Sequence, residues 1–270
     1  MNIQSYNPSF QANVHSSKLD FKRKDFYVRI SGYGTNRGWA NVVRDTADVA
    51  AYQIRHNDVV DFILRKITAG VVKANILTKD LGKIRHTGIL RDEREFWRSG
   101  STWTGRELTT NYSNIKRYAT YGDKFDYIAE HPLKKPYDDM DLTVPINEKD
   151  EKYLRHANPK CVNNALTHIY SLYKDFKHSF NSVDINDAQL PEVNAKIGEI
   201  RWLMAHATPW ERGSDTIANV FMRAMYKSLG IKTYPLAKGV SLDLEAYCTE
   251  LNDYKKNFGN YFEKPPKIIE

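Results

Sequence analysis

Ile197-Gly-Glu-Ile-Arg-Trp-Leu-Met-Ala-His-Ala-Thr-Pro-Trp-Glu-Arg-Gly-Ser214, followed by Ala218 to Gly230 and then by Gly239-Val-Ser-Leu-Asp243, is the stretch on which the fold turns. Val193, Ile197, Ile200 and Met204 step by three and four, which predicts a helix, and Pro191 suits its first turn. That helix should end near Ala207, because Pro209 forces its predecessor into extended backbone. Ser214 can cap a further helix with Ile217, Phe221, Ala224, Met225 and Tyr226 inward, closed by Gly230 in a left-handed position. Ser241 can cap one more, running through Leu244, Tyr247, Cys248, Leu251 and Tyr254. Working outward, Val162, Leu166, Ile169, Tyr170, Tyr173 and Phe176 form another apolar face. From residue 147 onward the chain reads as almost wholly helical.

The turn between the first two of these helices carries the chemistry. A helix start attracts anions through its free amides, and Arg212 beside it adds a planar fork that can grip a phosphate. Gly213 permits close backbone approach, Ser214 opens the helix, and Trp210 and Glu211 can line a base or sugar. His206 is expected at the mouth of the turn, where an imidazole can serve as general base. Asp243 can accept a proton or orient a sugar opposite Arg212. Each has a plainer reading: a capping serine, a satisfied histidine at a helix end, an Arg212–Asp243 salt bridge, an aspartate complementing a helix dipole.

The rest of the chain is less regular. Residues 1–24 read as a flexible or loosely docked tail, compatible with an export signal, and 25–146 as a mixed lobe preceding a helical core at 147–264. Within the lobe, 25–30 alternates like a strand, a helical pattern runs from about 39 to 67 with a break near His56-Asn-Asp58, and 71–77 suits a strand or a helix end. Arg91 to Arg98 reads as a charged amphipathic turn or short helix, and 99–142 as loops and short strands. The loop Gly32-Tyr-Gly-Thr-Asn-Arg-Gly38 lacks the lysine of a phosphate-binding loop. The fold class is therefore mainly α with a smaller mixed α/β lobe.

Composition narrows the function. The chain has 270 residues and a net charge of +7, but its basic residues are dispersed, so nucleic acid is not expected as a partner. No apolar run approaches the length of a membrane span. Cys161 and Cys248 fall on helical patterns and read as reduced, largely buried thiols. No histidine shows ligand spacing with carboxylates or thiols, so no tightly held metal is expected.

The segment 195–262 resembles the AvrB family of bacterial type III effectors, which belongs to the Fido superfamily with the Fic and Doc proteins. Trp202, Pro209, Arg212, Gly213, Ser214, Gly230, Ile231, Pro235 and Asp243 fall at the family's spacing. The resemblance implies a Fido-type helical core, a host protein as substrate, and delivery into the host cytoplasm by a type III-like route. It also implies functional roles for Arg212 and Asp243, and transfer of a sugar from a nucleotide-linked donor to a threonine or serine hydroxyl. Pro132-Leu-Lys-Lys-Pro-Tyr137 is similar to a family string near the target-contacting region, which brings Tyr137 into the candidate site. His206 departs from that family and matches the leading histidine of Fic enzymes, whereas the terminal Gly-Asn-Gly-Arg of the Fic motif is missing.

The expectation is a nucleotide-sugar-dependent protein glycosyltransferase served by Arg212, Asp243 and His206, with Trp210, Glu211, Gly213, Ser214 and Tyr137 around the donor. Three alternatives stay open: nucleotidyl transfer from ATP through His206, a non-catalytic nucleotide-binding module, and ADP-ribosyl transfer through Arg29 and the Ser101–Thr104 region.

Overall fold

A computed structural model of the chain describes residues 19–29, 36–56, 58–75, 79–86, 94–96, 121–148, 151–180 and 185–269. Of the expected tail, residues 1–18 lie outside this set, as do the Ser101–Thr104 region and most of the Gly32–Gly38 loop.

The protein is mainly helical with a small mixed lobe. Asn36 caps α1 (Arg37–Arg55) by accepting from Trp39 N at 3.0 Å. The helix stops at Arg55 and the chain resumes as α2 (Val60–Ala74), so residues 71–74 of the ambiguous stretch are a helix end, while 76–77 lie outside the described residues. The lobe comprises β1 (Arg94–Phe96), α3 (Gly122–Glu130), β2 (Val144–Glu148) and β3 (Glu151–Arg155). Its three strands form an antiparallel sheet in the order β1-β3-β2. The core helices are α4 (Val162–Phe180), α5 (Leu190–Ala207), α6 (Ser214–Ser228), α7 (Leu242–Tyr247) and α8 (Leu251–Asn257), with a two-stranded ladder of β4 (Ile231–Lys232) and β5 (Lys267–Ile268).

Burial explains which helix sits at the centre. Every residue from Ile200 to Ala207 in α5 is buried, so its second half is surrounded on all sides rather than amphipathic. α4, α6, α7 and α8 surround it, and α1 packs along α6. One apolar core runs from Phe21 to Phe262. Helices α1 and α2, within the segment 25–146 expected as a mixed lobe, pack against α6, and β2 spans residue 147.

Several local expectations are corrected. Residues 23–26 form a 3-10 turn and 27–29 run extended without a strand partner among the described residues. Lys22 N donates to Asp25 Oδ2 at 2.7 Å, which closes that turn, while Phe26 and Val28 still point inward as the alternation demanded. Arg94–Phe96, expected in an amphipathic turn or short helix, is the edge strand β1 paired with β3. Gly122–Glu130, expected as loop, is a helix whose Phe125 and Ile128 are buried. Gly213, at φ +90°, and not Ser214, occupies the cap position of α6. The last predicted helix divides at 248–250 into α7 and α8.

Candidate functional site

The turn 207–213 is built by backbone pairing to the segment 81–85. Arg85 N donates to Pro209 O at 2.9 Å, Glu211 N to Lys83 O at 2.8 Å, and Gly82 N to Arg212 O at 3.1 Å. Thr208 ends α5 in the left-handed conformation at φ +38°. The side chain of Arg85 is buried against that helix end. Its Nη1 donates to the carbonyls of Ala207 and Thr208 and to Thr208 Oγ1, and its Nη2 donates to Ala157 O. A guanidinium there satisfies the orphan carbonyls and complements the negative end of the α5 dipole. No local signal in the sequence marks Arg85 for this role, because its partners lie over seventy residues away.

Within this scaffold the expected site residues divide. Arg212 is exposed, and its guanidinium has no hydrogen bond or ion pair among the described residues. The nearby Arg212 and Lys83 cations help hold the Asp80 carboxyl below its ordinary range, the Lys83 hydrogen bond contributing most. Gly213 brings the chain so close to Leu81 that a Cβ at that position would lie 2.7 Å from Leu81 Cδ1. Ser214 is turned back into the loop, where its Oγ donates to Trp210 O and accepts from Trp210 N, both at 3.0 Å. Trp210 is buried and walls a cleft of about 670 Å³ with Leu64, Thr68, Ile84, Leu166 and Tyr170. Glu211 is buried too, and its Oε1 has no hydrogen-bond partner among the described residues.

Asp243 lies in the first turn of α7. Its Oδ1 accepts from Ser241 Oγ and, at 2.9 Å, from Leu244 N. Ser241 is the cap residue as expected, but its hydroxyl serves Asp243 and not the helix amides. Among the described residues no salt bridge joins Asp243 to Arg212, which removes the structural ion pair as an explanation of either. The two are held by separate loops.

His206 is not at the mouth of the turn. It is fully buried, with Nδ1 2.9 Å from Thr143 O and Nε2 3.0 Å from Ala246 O. Its own carbonyl accepts from Thr143 Oγ1 at 2.8 Å. Burial pushes the imidazole down to about 4, against the two carbonyls, which favour the charged ring. The reason for the misplacement is the all-round burial of α5, which an alternating pattern of apolar residues does not disclose.

Tyr137 also stands apart from the turn. Its ring stacks on His168 of α4 at 3.7 Å and 6°, and His168 Nε2 lies 2.8 Å from Asp139 Oδ1. Burial raises the Tyr137 hydroxyl, helped by Glu199 and Asp175. Arg29, named for the ADP-ribosyl alternative, has its guanidinium committed to Leu236 O and to Glu263.

Further groups complete the site's frame. Arg201 Nη2 bonds Asp215 Oδ1, joining the centre of α5 to the first turn of α6. Arg201 is visible in the sequence as a charge within an apolar helical face. Trp202 Nε1 donates to Thr249 O at 2.9 Å, and Tyr254 OH donates to Leu242 O at 3.0 Å, so α7 is tied at both ends. Among the described residues no cluster of three or more histidine, cysteine or acidic side chains is arranged to hold a metal, and no helix is long and apolar enough to cross a membrane. Cys161 and Cys248 are free thiols, and burial pushes Cys248 up to about 12.

Comparison with known families gives a match over residues 95–265 to the AvrB_AvrC model, described as avirulence protein. No curated protein matches the chain.

Proposed function

The chain belongs to the AvrB/AvrC family of avirulence proteins, and on that premise we propose that it transfers a glycosyl group from a nucleotide sugar to a serine or threonine hydroxyl of a host protein. The family makes it a bacterial avirulence effector, with a host protein as target and the host cell as destination. The nucleotide sugar, the type III-like route and the transfer itself belong to the proposal.

The observation that carries the reading is the state of Arg212. Glu211 before it is buried and Ser214 beyond it is bonded back to Trp210, yet its own guanidinium is exposed and unpaired among the described residues. It stands beside the cap of the fifteen-residue helix α6. An unpaired cation next to a helix start is what a diphosphate leaving group requires. In the proposed step the acceptor oxygen bonds to the anomeric carbon while the bond from that carbon to the diphosphate oxygen breaks. The electron pair leaves with the nucleoside diphosphate, whose growing charge Arg212 offsets. The hydroxyl proton goes to a carboxylate, a role suited to Asp243, which the Ser241 hydroxyl and the Leu244 amide keep oriented. Trp210, itself buried, forms part of the wall of a cleft within the size range of small-ligand sites, beside α2 and α4; neither Arg212 nor Asp243 lines it. Transfer of a nucleotidyl group through His206 gains no support from an imidazole whose two nitrogens both face backbone carbonyls in the core.

The test is to incubate the full chain with host lysate and, in separate tubes, a panel of nucleotide sugars, ATP and NAD, and to read mass shifts on the modified proteins. A hexose or deoxyhexose increment that disappears in Arg212→Ala and Asp243→Ala is expected. An adenylate increment lost in His206→Ala would replace this reading with nucleotidyl transfer. Donor binding without any increment would make the protein a binding module.

A further inference from the structure

Asp243 is aimed by a chain of contacts that begins far upstream, in a segment the family match does not include. Residues 19–29 cross the outer face of α6. Phe21 and Phe26 are buried there. Lys227 of α6 sits 3.6 Å from Asp20 and over the Phe21 ring, and Arg223 sits over the Phe26 ring. The segment ends at Arg29, which grips the loop leading to Asp243 in two ways. Its guanidinium donates from Nε at 3.1 Å and from Nη2 at 2.5 Å to Leu236 O. Its own carbonyl accepts from Gly239 N at 3.1 Å.

The loop passes this restraint on. Gly239 takes φ +85°, a conformation that lets the chain double back toward α7. Tyr121 OH donates to Gly239 O at 3.1 Å and accepts from Ser241 N at 2.9 Å, bridging the loop to the start of α7. Ser241 Oγ then donates to Asp243. On its other side the loop is held by Ala237 N, which donates to Tyr261 O at 2.9 Å. Loss of the Arg29 side chain takes the guanidinium away from the Leu236 carbonyl, whereas the main-chain bond from Gly239 N to the residue 29 carbonyl, the Val240 N–Ala237 O turn and the Tyr121, Tyr261 and Glu263–Pro235 attachments do not depend on it.

We propose that Arg29 is a positioning residue for Asp243: the segment 19–29 is a strap that clamps the loop 236–239 and thereby sets the carboxylate's place in the pocket. This rests on the reading of Asp243 as a pocket residue. It assigns a functional dependence to a part of the chain outside residues 95–265. The role is specific to the arginine fork, because two nitrogens of one plane meet one carbonyl, a geometry a lysine ammonium reproduces only in part.

The experiment compares the full-length wild type with Arg29→Met, Arg29→Lys and the surface control Lys256→Gln, an exposed residue of α8. Amide hydrogen exchange over 236–244 is read by mass spectrometry, with α5 as internal reference, and binding of UDP-glucose, used as the donor probe, is read by calorimetry. Arg29→Met is expected to speed exchange in 236–244 by about tenfold while α5 is unchanged, since a hydrogen bond from a charged group is lost locally. Arg29→Lys should recover part of the protection, and Lys256→Gln should match the wild type. UDP-glucose affinity should fall about fivefold in Arg29→Met. Wild-type exchange over 236–244 in Arg29→Met overturns the strap. Faster exchange with unchanged UDP-glucose affinity also overturns the positioning role. If the wild type itself binds neither UDP-glucose nor any other nucleotide sugar of the panel, the nucleotide-sugar reading fails, and the exchange arm still decides whether Arg29 holds the loop.

Discussion

His206 Nε2 lies 3.0 Å from the carbonyl oxygen of Ala246, one turn of α7 beyond Asp243. Through Nδ1 the same ring reaches Thr143 at the entry to β2. The imidazole therefore ties the lobe's hairpin to the short helix that bears the candidate carboxylate, with Trp202 at 3.9 Å and Tyr247 at 5.5 Å completing its packing. Its contribution is to where Asp243 stands. His206→Ala should destabilise the protein by about 2–4 kcal/mol, because it opens a cavity and strips a buried carbonyl of the single N–H that the neutral imidazole donates. Urea denaturation measures this, and a loss under about 1 kcal/mol would contradict the account.

The same ring predicts a pH dependence. Its folded value, about 4, lies below the ordinary 6.5. Between these limits the unfolded chain binds a proton that the folded chain does not. The stabilisation is complete above about 6.5 and is lost as pH falls toward 4, amounting to roughly 3 kcal/mol over the window. Thermal unfolding of the wild type and of His206→Asn between pH 7 and 4.5 isolates the effect. The difference in stability between the two should narrow steadily as the pH falls, and a constant gap would refute the assignment.

Arg212→Ala should separate function from stability. An exposed side chain without a partner contributes little to folding, so the change in unfolding free energy should stay within about 0.5 kcal/mol. Donor affinity should fall by about tenfold or more, the effect of losing a charge-assisted hydrogen bond to phosphate. Equal losses in stability and in binding would mean that Arg212 is part of the frame.

The helices from 162 onward were legible because their apolar residues recur at helical spacing and because Pro191 and Gly230 punctuate them. Gly213 was legible as a turn glycine, and it occupies a position where φ is +90°, whereas Arg212 and Asp243, read together in the sequence, stand on separate loops with no salt bridge between them. What escaped were features set by tertiary pairing. The pairing of 81–85 with the turn, the burial of His206 and the clamp of Arg29 on Leu236 all join residues distant in sequence. Residues 144–148 and 151–155 pair with each other as β2 and β3, with β1 on the far side of β3, and no strong alternation in the local sequence announces them. Ser214 shows the limit of local chemistry: a serine at a helix start was read as its cap, but the hydroxyl found Trp210 first.

The Arg201–Asp215 pair tests how the central helix holds the first turn of α6. Arg201 has a fully buried side chain, and its Nε and Nη1 have no hydrogen-bond partner among the described residues, so Asp215 is the carboxylate that offsets its charge. Asp215 also accepts from Asn219 Nδ2 at 3.1 Å, which keeps the carboxylate along the helix axis. Asp215→Ala leaves a guanidinium in the core without an ion-pair partner and should cost about 3–5 kcal/mol. Arg201→Met removes the charge while keeping much of the volume, and the exposed edge of Asp215 can then turn to water, so its cost should be far smaller. In the double variant the penalty of Asp215→Ala should largely vanish, because no buried charge remains to be compensated. Chemical denaturation of the four proteins closes the cycle. Additive losses would show that the two residues act independently and that the first turn of α6 is held by packing alone.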